Sequence, residues 1–249
     1  MVGGDTAVSM VKPMLRPRSN YAPLQAMSST KIVEPVSPIA PLWHTGGVLL
    51  LLAAFAWFSI FLRVGSDHER VSNITLYAIV IAFEWVLFAF CLWRTDVEFV
   101  GYVARVLKNP RALLWDVPVA IALGGFLVLI SPWIIRMLGE AGWPSLAGML
   151  PHGGVQIALW MAMSITAGIC EETIFRGYLQ RQFSGWTGSV VFGIIAQAAV
   201  FGVCHGYQGW KKLALISIWG LVFGLCVWWR KGLRANMIAH ALLDMISIF

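Results

Sequence analysis

The sequence predicts an all-α polytopic membrane protein with about seven transmembrane helices. Three observations predict it. Of 249 residues, 59% are hydrophobic and 12% charged, against about 25% charged in an ordinary soluble domain. Mean hydropathy is +0.75, more apolar surface than a soluble core of this size hides. The charges are also unevenly spread: no Asp, Glu, Lys or Arg occurs in 35–62, 117–135, 141–170, 182–210 or 213–229. A helix crosses the hydrocarbon core with about 20 apolar residues, so these gaps have spanning length. A disulfide scaffold, a soluble nucleic-acid binder and a disordered chain are excluded. The net charge of +6 needs no nucleic acid as partner, because Lys and Arg beside cytoplasmic span ends account for it.

Residues 1–40 are polar and interrupted by Pro13, Pro17, Pro23, Pro35 and Pro38, which predicts a flexible tail. The first apolar run begins near Leu42, too far along for a cleaved leader. Spans are expected at 43–63, 73–93, 116–137, 156–181, 188–206, 212–230 and 235–249. The second and seventh are each interrupted by one acid, Glu84 and Asp244. The segment 94–115 is amphipathic and predicts an interfacial element. Residues 41–150 thus form an N-terminal group of helices, and 151–249 a second region. Gly220 and Gly224 make a GxxxG step that lets another helix approach closely. Cys91, Cys170, Cys204 and Cys226 lie in apolar stretches without a CxxC pair and read as small fillers. With the tail inside, thirteen of the 18 Lys and Arg fall on the cytoplasmic side, so the N-terminus is expected in the cytoplasm and the chain in the cell membrane.

Chemistry is expected where polarity interrupts the apolar helices. The fourth span ends Cys170-Glu171-Glu172-Thr-Ile-Phe-Arg176. A charge at a helix centre costs about 2.5–3.5 kcal/mol to insert, so a doubled acid there marks a functional site. Glu172 and Arg176 are four apart with the acid N-terminal, the favourable ion-pair orientation. Glu171 points about 100° away around the helix. Glu172 is therefore assigned to an orienting pair and Glu171 to the chemistry. Phe201-Gly-Val-Cys-His205 and His240-Ala-Leu-Leu-Asp244 add two imidazoles on two further helices. Asp244 is placed to fix the tautomer of His240. His44, His68 and His152 read as interfacial or solvated, and Glu84 as structural.

The series Glu171-Glu172-x-x-x-Arg176, Phe201-x-x-x-His205, His240-x-x-x-Asp244 resembles the three-motif pattern of the CPBP family, also called the Abi or CAAX prenyl protease 2 family. The tail Arg176-Gly-Tyr-Leu-Gln180 is also typical. The third motif more often ends in Asn, where this chain has Asp244. The resemblance covers about 155–249 and implies a four-helix catalytic core and intramembrane endopeptidase activity on membrane-associated or C-terminal, CAAX-like substrates. It implies catalytic roles for Glu171, Glu172, His205, His240 and Asp244, with Arg176 and Phe201 orienting them.

Peptide hydrolysis needs an activated water, a stabilised oxyanion and a proton for the leaving amine. A desolvated carboxylate such as Glu171 suits the base. His205 shares the water and protonates the amine, and His240 donates to the oxyanion. This scheme uses no metal. A zinc-dependent version would use Glu171, His205, His240 and Asp244 as ligands. Outside peptidases, the same groups fit a non-enzymatic membrane immunity or binding protein, or a proton-coupled transporter. With a turn near Ser184, Glu171 and His205 differ in depth by roughly 12 Å along straight helices, and a tilt or a surface segment at 183–190 is needed to bring them together.

Overall fold

A computed structural model describes residues 37–64, 72–108, 113–139 and 147–247. The tail up to residue 36 and His68 lie outside the described residues. Among these the chain is helical without strands. The helices are α1 (Leu42–Val64), α2 (Asn73–Leu92), α3 (Val97–Lys108), α4 (Leu113–Met137), α5 (Gly154–Glu171), α6 (Gln180–Thr187), α7 (Val190–Cys204), α8 (Trp210–Arg230) and α9 (Arg234–Ile246). Between α5 and α6 the helix is not broken. Glu172–Leu179 continues it as a π-helical segment. Among the described residues, five helices are long and apolar enough to cross a membrane: α1, α2, α4, the continuous Gly154–Thr187 and α8. The expected fifth and seventh spans, α7 and α9, have 15 and 13 residues.

Local sequence explains the ends. Ser72 and Ser189 cap α2 and α7, their hydroxyls accepting from the amides of Thr75 and Phe192, both at 3.2 Å. Each such cap satisfies one of the orphan amides of a helix start. The helix carrying the acids ends at Gly188, whose φ of 68° is left-handed and suits a residue without Cβ.

Small residues set the packing. A Cβ added to Gly220 would lie 3.0 Å from Ala198 Cα, and one added to Gly224 would lie 2.7 Å from Gln197 Nε2. The expected GxxxG step is thus where α7 and α8 close on each other. The Gln197 amide turns the approach into hydrogen bonds, donating to the carbonyls of Gly220 at 2.9 Å and Ile194 at 3.1 Å. Gly168 plays the same part between α5 and α9: a Cβ there would lie 2.5 Å from the Met237 carbonyl oxygen.

The amphipathic segment forms α3, which buries Phe99, Val103 and Val106 and leaves Val97 and Glu98 exposed. Phe99 lies against Gly177 and Tyr178. Arg234 donates to the Val106 carbonyl, and Asp116 of α4 pairs with Arg230 at 2.7 Å and Arg234 at 3.4 Å. The chain just before α1 is fixed as well. The amides of Ile39 and Ala40 donate to Gln182 Oε1 at 2.9 and 3.1 Å. His44, expected at an interface, is instead fully buried, bonded to the Tyr178 hydroxyl at 2.7 Å and the Phe90 carbonyl at 3.0 Å.

Candidate active site

The π-helical turn determines which groups face inward. Its eight residues, Glu172 through Leu179, are all buried. Glu172 has no exposure and three polar contacts. Its Oε1 accepts from Arg176 Nη1 and lies against His240 Nδ1, each at 2.9 Å, and its Oε2 accepts from Asn236 Nδ2 at 3.2 Å. A fully buried carboxylate is stable only when its lone pairs are filled this way. The Arg176 guanidinium sits 4.2 Å from the Phe201 ring centroid and 5.1 Å from that of Phe223, so the rings supply the remaining contacts of the cation.

α9 brings Asn236, His240 and Asp244 to one face, four residues apart. Phe223 stacks on the His240 ring at 5.7 Å, and Phe201 meets it edge-on at 6.0 Å. The imidazole is latched at Nδ1 by Glu172, while Nε2 faces Glu171 Oε2 at 3.6 Å and Asp244 Oδ2 at 3.7 Å. The expected pairing of His240 with Asp244 is present at Nε2, and a second carboxylate lies closer. The carboxylate within hydrogen-bond distance of His240 is Glu172, and Asp244 stands on the opposite nitrogen, with its side chain 38% exposed. Spacing on α9 alone hid this, because Glu172 reaches His240 across the helix pair that closes at Gly168.

Glu171 differs from its neighbour. Its side chain is 18% exposed, and its buried Oε2 has no hydrogen-bond partner among the described residues. Glu171, Glu172, Arg176, His240 and Asp244 therefore converge about one imidazole. His205 stands apart. Its Nδ1 bonds the Phe201 carbonyl oxygen at 2.9 Å, and its ring packs on Phe201 at 4.9 Å. With Nδ1–H spent on that carbonyl, Nε2 keeps a free lone pair. Gly188, not Ser184, ends the fourth span, so Glu171 and His205 each lie 17 residues from it along the chain.

Sequence reasoning missed Asn236. Its signal was available, a buried amide one turn before His240 on the same face. It donates both to Glu172 and to the Phe223 carbonyl at 2.9 Å and so ties α8 and α9 to the acid. Catalytic zinc takes three protein ligands at about 2.0–2.2 Å. Among the described residues no three His, Cys, Asp or Glu side chains gather so as to hold a metal ion.

All three motifs lie in the C-terminal part of the chain. Residues 153–246 match the family model described as type II CAAX prenyl endopeptidase, Rce1-like. This is the family that the motifs resemble. No curated protein and no solved structure matches the chain. That description is of a CAAX prenyl endopeptidase, and the match covers less than half of the chain. The Rce1-like segment begins just before α5 and ends with α9, so it contains Glu171, Glu172, Arg176, Phe201, His205, Asn236, His240 and Asp244. It leaves out α1 to α4.

Proposed function

We propose that this protein hydrolyses peptide bonds of membrane-associated or C-terminal, CAAX-like substrates with a water activated by Glu171, and that it does so without a metal. The observation that carries the reading is the contrast between adjacent acids: every partner of Glu172 is a protein group, while Glu171 Oε2 is buried without a hydrogen bond beside the same imidazole. A carboxylate with an unspent oxygen suits a general base, and one filled with protein donors suits a latch. Convergence about His240 also favours a single reaction centre over a chain of polar groups along a pore.

In the proposed cycle, Glu171 takes a proton from water as its oxygen attacks the carbonyl carbon. His240, held at Nδ1 by Glu172, donates from Nε2 to the oxyanion. Collapse breaks the C–N bond, and the proton held by Glu171 reaches the amine through the free Nε2 of His205. Arg176 and Phe201 hold Glu172 and the two imidazoles in place. The proposed setting is the cell membrane, with the N-terminus cytoplasmic and the bilayer and a peptide or protein substrate as partners.

The test is Glu171→Gln in the full-length protein, purified and reconstituted in lipid vesicles. The probe is an internally quenched peptide with a C-terminal CAAX sequence, used with and without a farnesyl group. The expected loss is at least about 10²-fold, the low end for general acid–base catalysis, with folding retained. Near-normal cleavage by Glu171→Gln removes the assignment.

A further inference from the structure

Glu84 belongs to none of the three motifs and lies outside the matched segment. It stands on α2, whose buried residues Tyr77, Glu84, Leu87 and Cys91 share one face. That face lies along the helix carrying the acids, and the two run in the same direction. At one end Asn73 donates to the Leu150 carbonyl at 3.0 Å, and the Tyr77 ring meets Trp160 at 5.5 Å. At the other end Cys91 lies in the field of Tyr178. Glu84 is midway between Tyr77 and Cys91, and this register brings it level with Gly168 and Glu171. Its carboxyl is within electrostatic range of Glu171, Asp244 and Cys170.

Glu84 is 7% exposed, and its Oε2 is fully buried without a hydrogen-bond partner. Glu171 Oε2 is in the same condition. Buried polar atoms in native proteins are almost always paired, and each orphan calls for a reason. Here the two orphan oxygens belong to carboxyls placed at one level of two parallel helices, and one explanation can cover both. A single buried water makes two to four hydrogen bonds and satisfies both by donating one hydrogen to each.

We propose that Glu84 is a catalytic residue that, together with Glu171, holds the water that attacks the substrate carbonyl. The proposal rests on the peptidase reading and adds to it a group from the N-terminal helices. Held by both hydrogens, the water presents an oxygen lone pair to the carbonyl carbon. The O–H bond toward Glu171 breaks and its proton goes to that carboxylate. The C–O bond forms as the carbonyl π pair moves to the oxyanion. The second hydrogen stays on the new hydroxyl, still donated to Glu84. When the C–N bond breaks, the amine takes the proton released by Glu171.

The experiment compares Glu84→Leu and Glu84→Gln with wild type in the vesicle assay, with thermal midpoints measured beside kcat and KM. Leu removes the acceptor and fills the volume, and exchanging a buried carboxyl together with its water for an apolar group of similar shape is nearly neutral or stabilising. Glu84→Leu is expected to lower kcat about 10- to 100-fold, the effect of one charge-assisted hydrogen bond, with KM unchanged and the midpoint not lowered. Glu84→Gln keeps a carbonyl acceptor and is expected to retain most of the activity. Wild-type kcat in Glu84→Leu overturns the proposal. So does a loss that comes with a lowered midpoint, or a Gln variant no better than Leu. If wild type cleaves no probe or Glu171→Gln is fully active, the peptidase reading has failed, and stability alone then judges the shared water. Non-additive midpoint changes for Glu84→Leu and Glu171→Leu support it, and strict additivity overturns it.

Discussion

Removing either charge of the Glu172–Arg176 pair should destabilise the protein, and removing both should cost less than the two losses added. The pair is fully buried, with Nη1 and Oε1 2.9 Å apart. In Glu172→Gln the guanidinium keeps the Phe201 and Phe223 rings but loses its carboxylate, and its Nε and Nη2 already lack hydrogen bonds. Breaking a buried pair from one side costs about 3–5 kcal/mol. At about 2–4 °C per kcal/mol for a chain of this size, the midpoint falls on the order of 10 °C. Arg176→Met leaves Glu172 with His240 and Asn236. Its cost is one charged hydrogen bond and the ring contacts, about 2–4 kcal/mol together. The double variant buries no unpaired cation, so the coupling should be about 1–3 kcal/mol. The assay is thermal unfolding of the detergent-purified protein at one fixed scan rate, read by tryptophan fluorescence. Additivity within about 0.5 kcal/mol refutes the coupling.

Two further outcomes test the site's geometry and chemistry. Gly168→Val places side-chain carbon where the Met237 carbonyl lies 2.5 Å from a Cβ, so α9 must move away from α5. A 1 Å misplacement of catalytic groups costs about 10²-fold, and activity should fall by that order while membrane insertion is unchanged. An active Gly168→Val variant would show that the α5–α9 contact does not set the position of His240. For metal content, the purified protein should carry well under one equivalent of zinc and keep its activity after chelator dialysis. Stoichiometric zinc, with activity lost on its removal and restored on its return, would establish the metal-dependent scheme.

The spans were legible because hydrocarbon tolerates so few charges that every gap between them reports a helix. The same intolerance made Glu171, Glu172, His240 and Asp244 conspicuous. What a single helix cannot reveal is who meets whom across helices. Spacing on α9 offered Asp244 as the partner of His240, whereas the closer carboxylate comes from another helix. Asn236 was passed over because one buried amide in an amphipathic helix is a weak signal without its partners. The π-helical turn left no mark in the sequence, since it arises from packing on all sides. The position of the turn after the fourth span was misjudged at Ser184 because Trp186 and Thr187 extend the helix to Gly188.

The lengths of α7 and α9 bear on how water reaches a reaction inside a bilayer. At 1.5 Å per residue, their 15 and 13 residues span only about 22 and 20 Å, against a hydrocarbon thickness of about 30 Å. These are the helices that lead to His205 and carry His240. A short apolar helix is accommodated by thinning of the surrounding bilayer, and the outer face of α7, with Val191, Ile195 and Val203 exposed, meets the lipid directly. Hydrophobic mismatch would then be greatest beside the histidines. On that argument the aqueous phase would dip toward the site there, and both the hydrolytic water and an extended substrate backbone would have less hydrocarbon to cross.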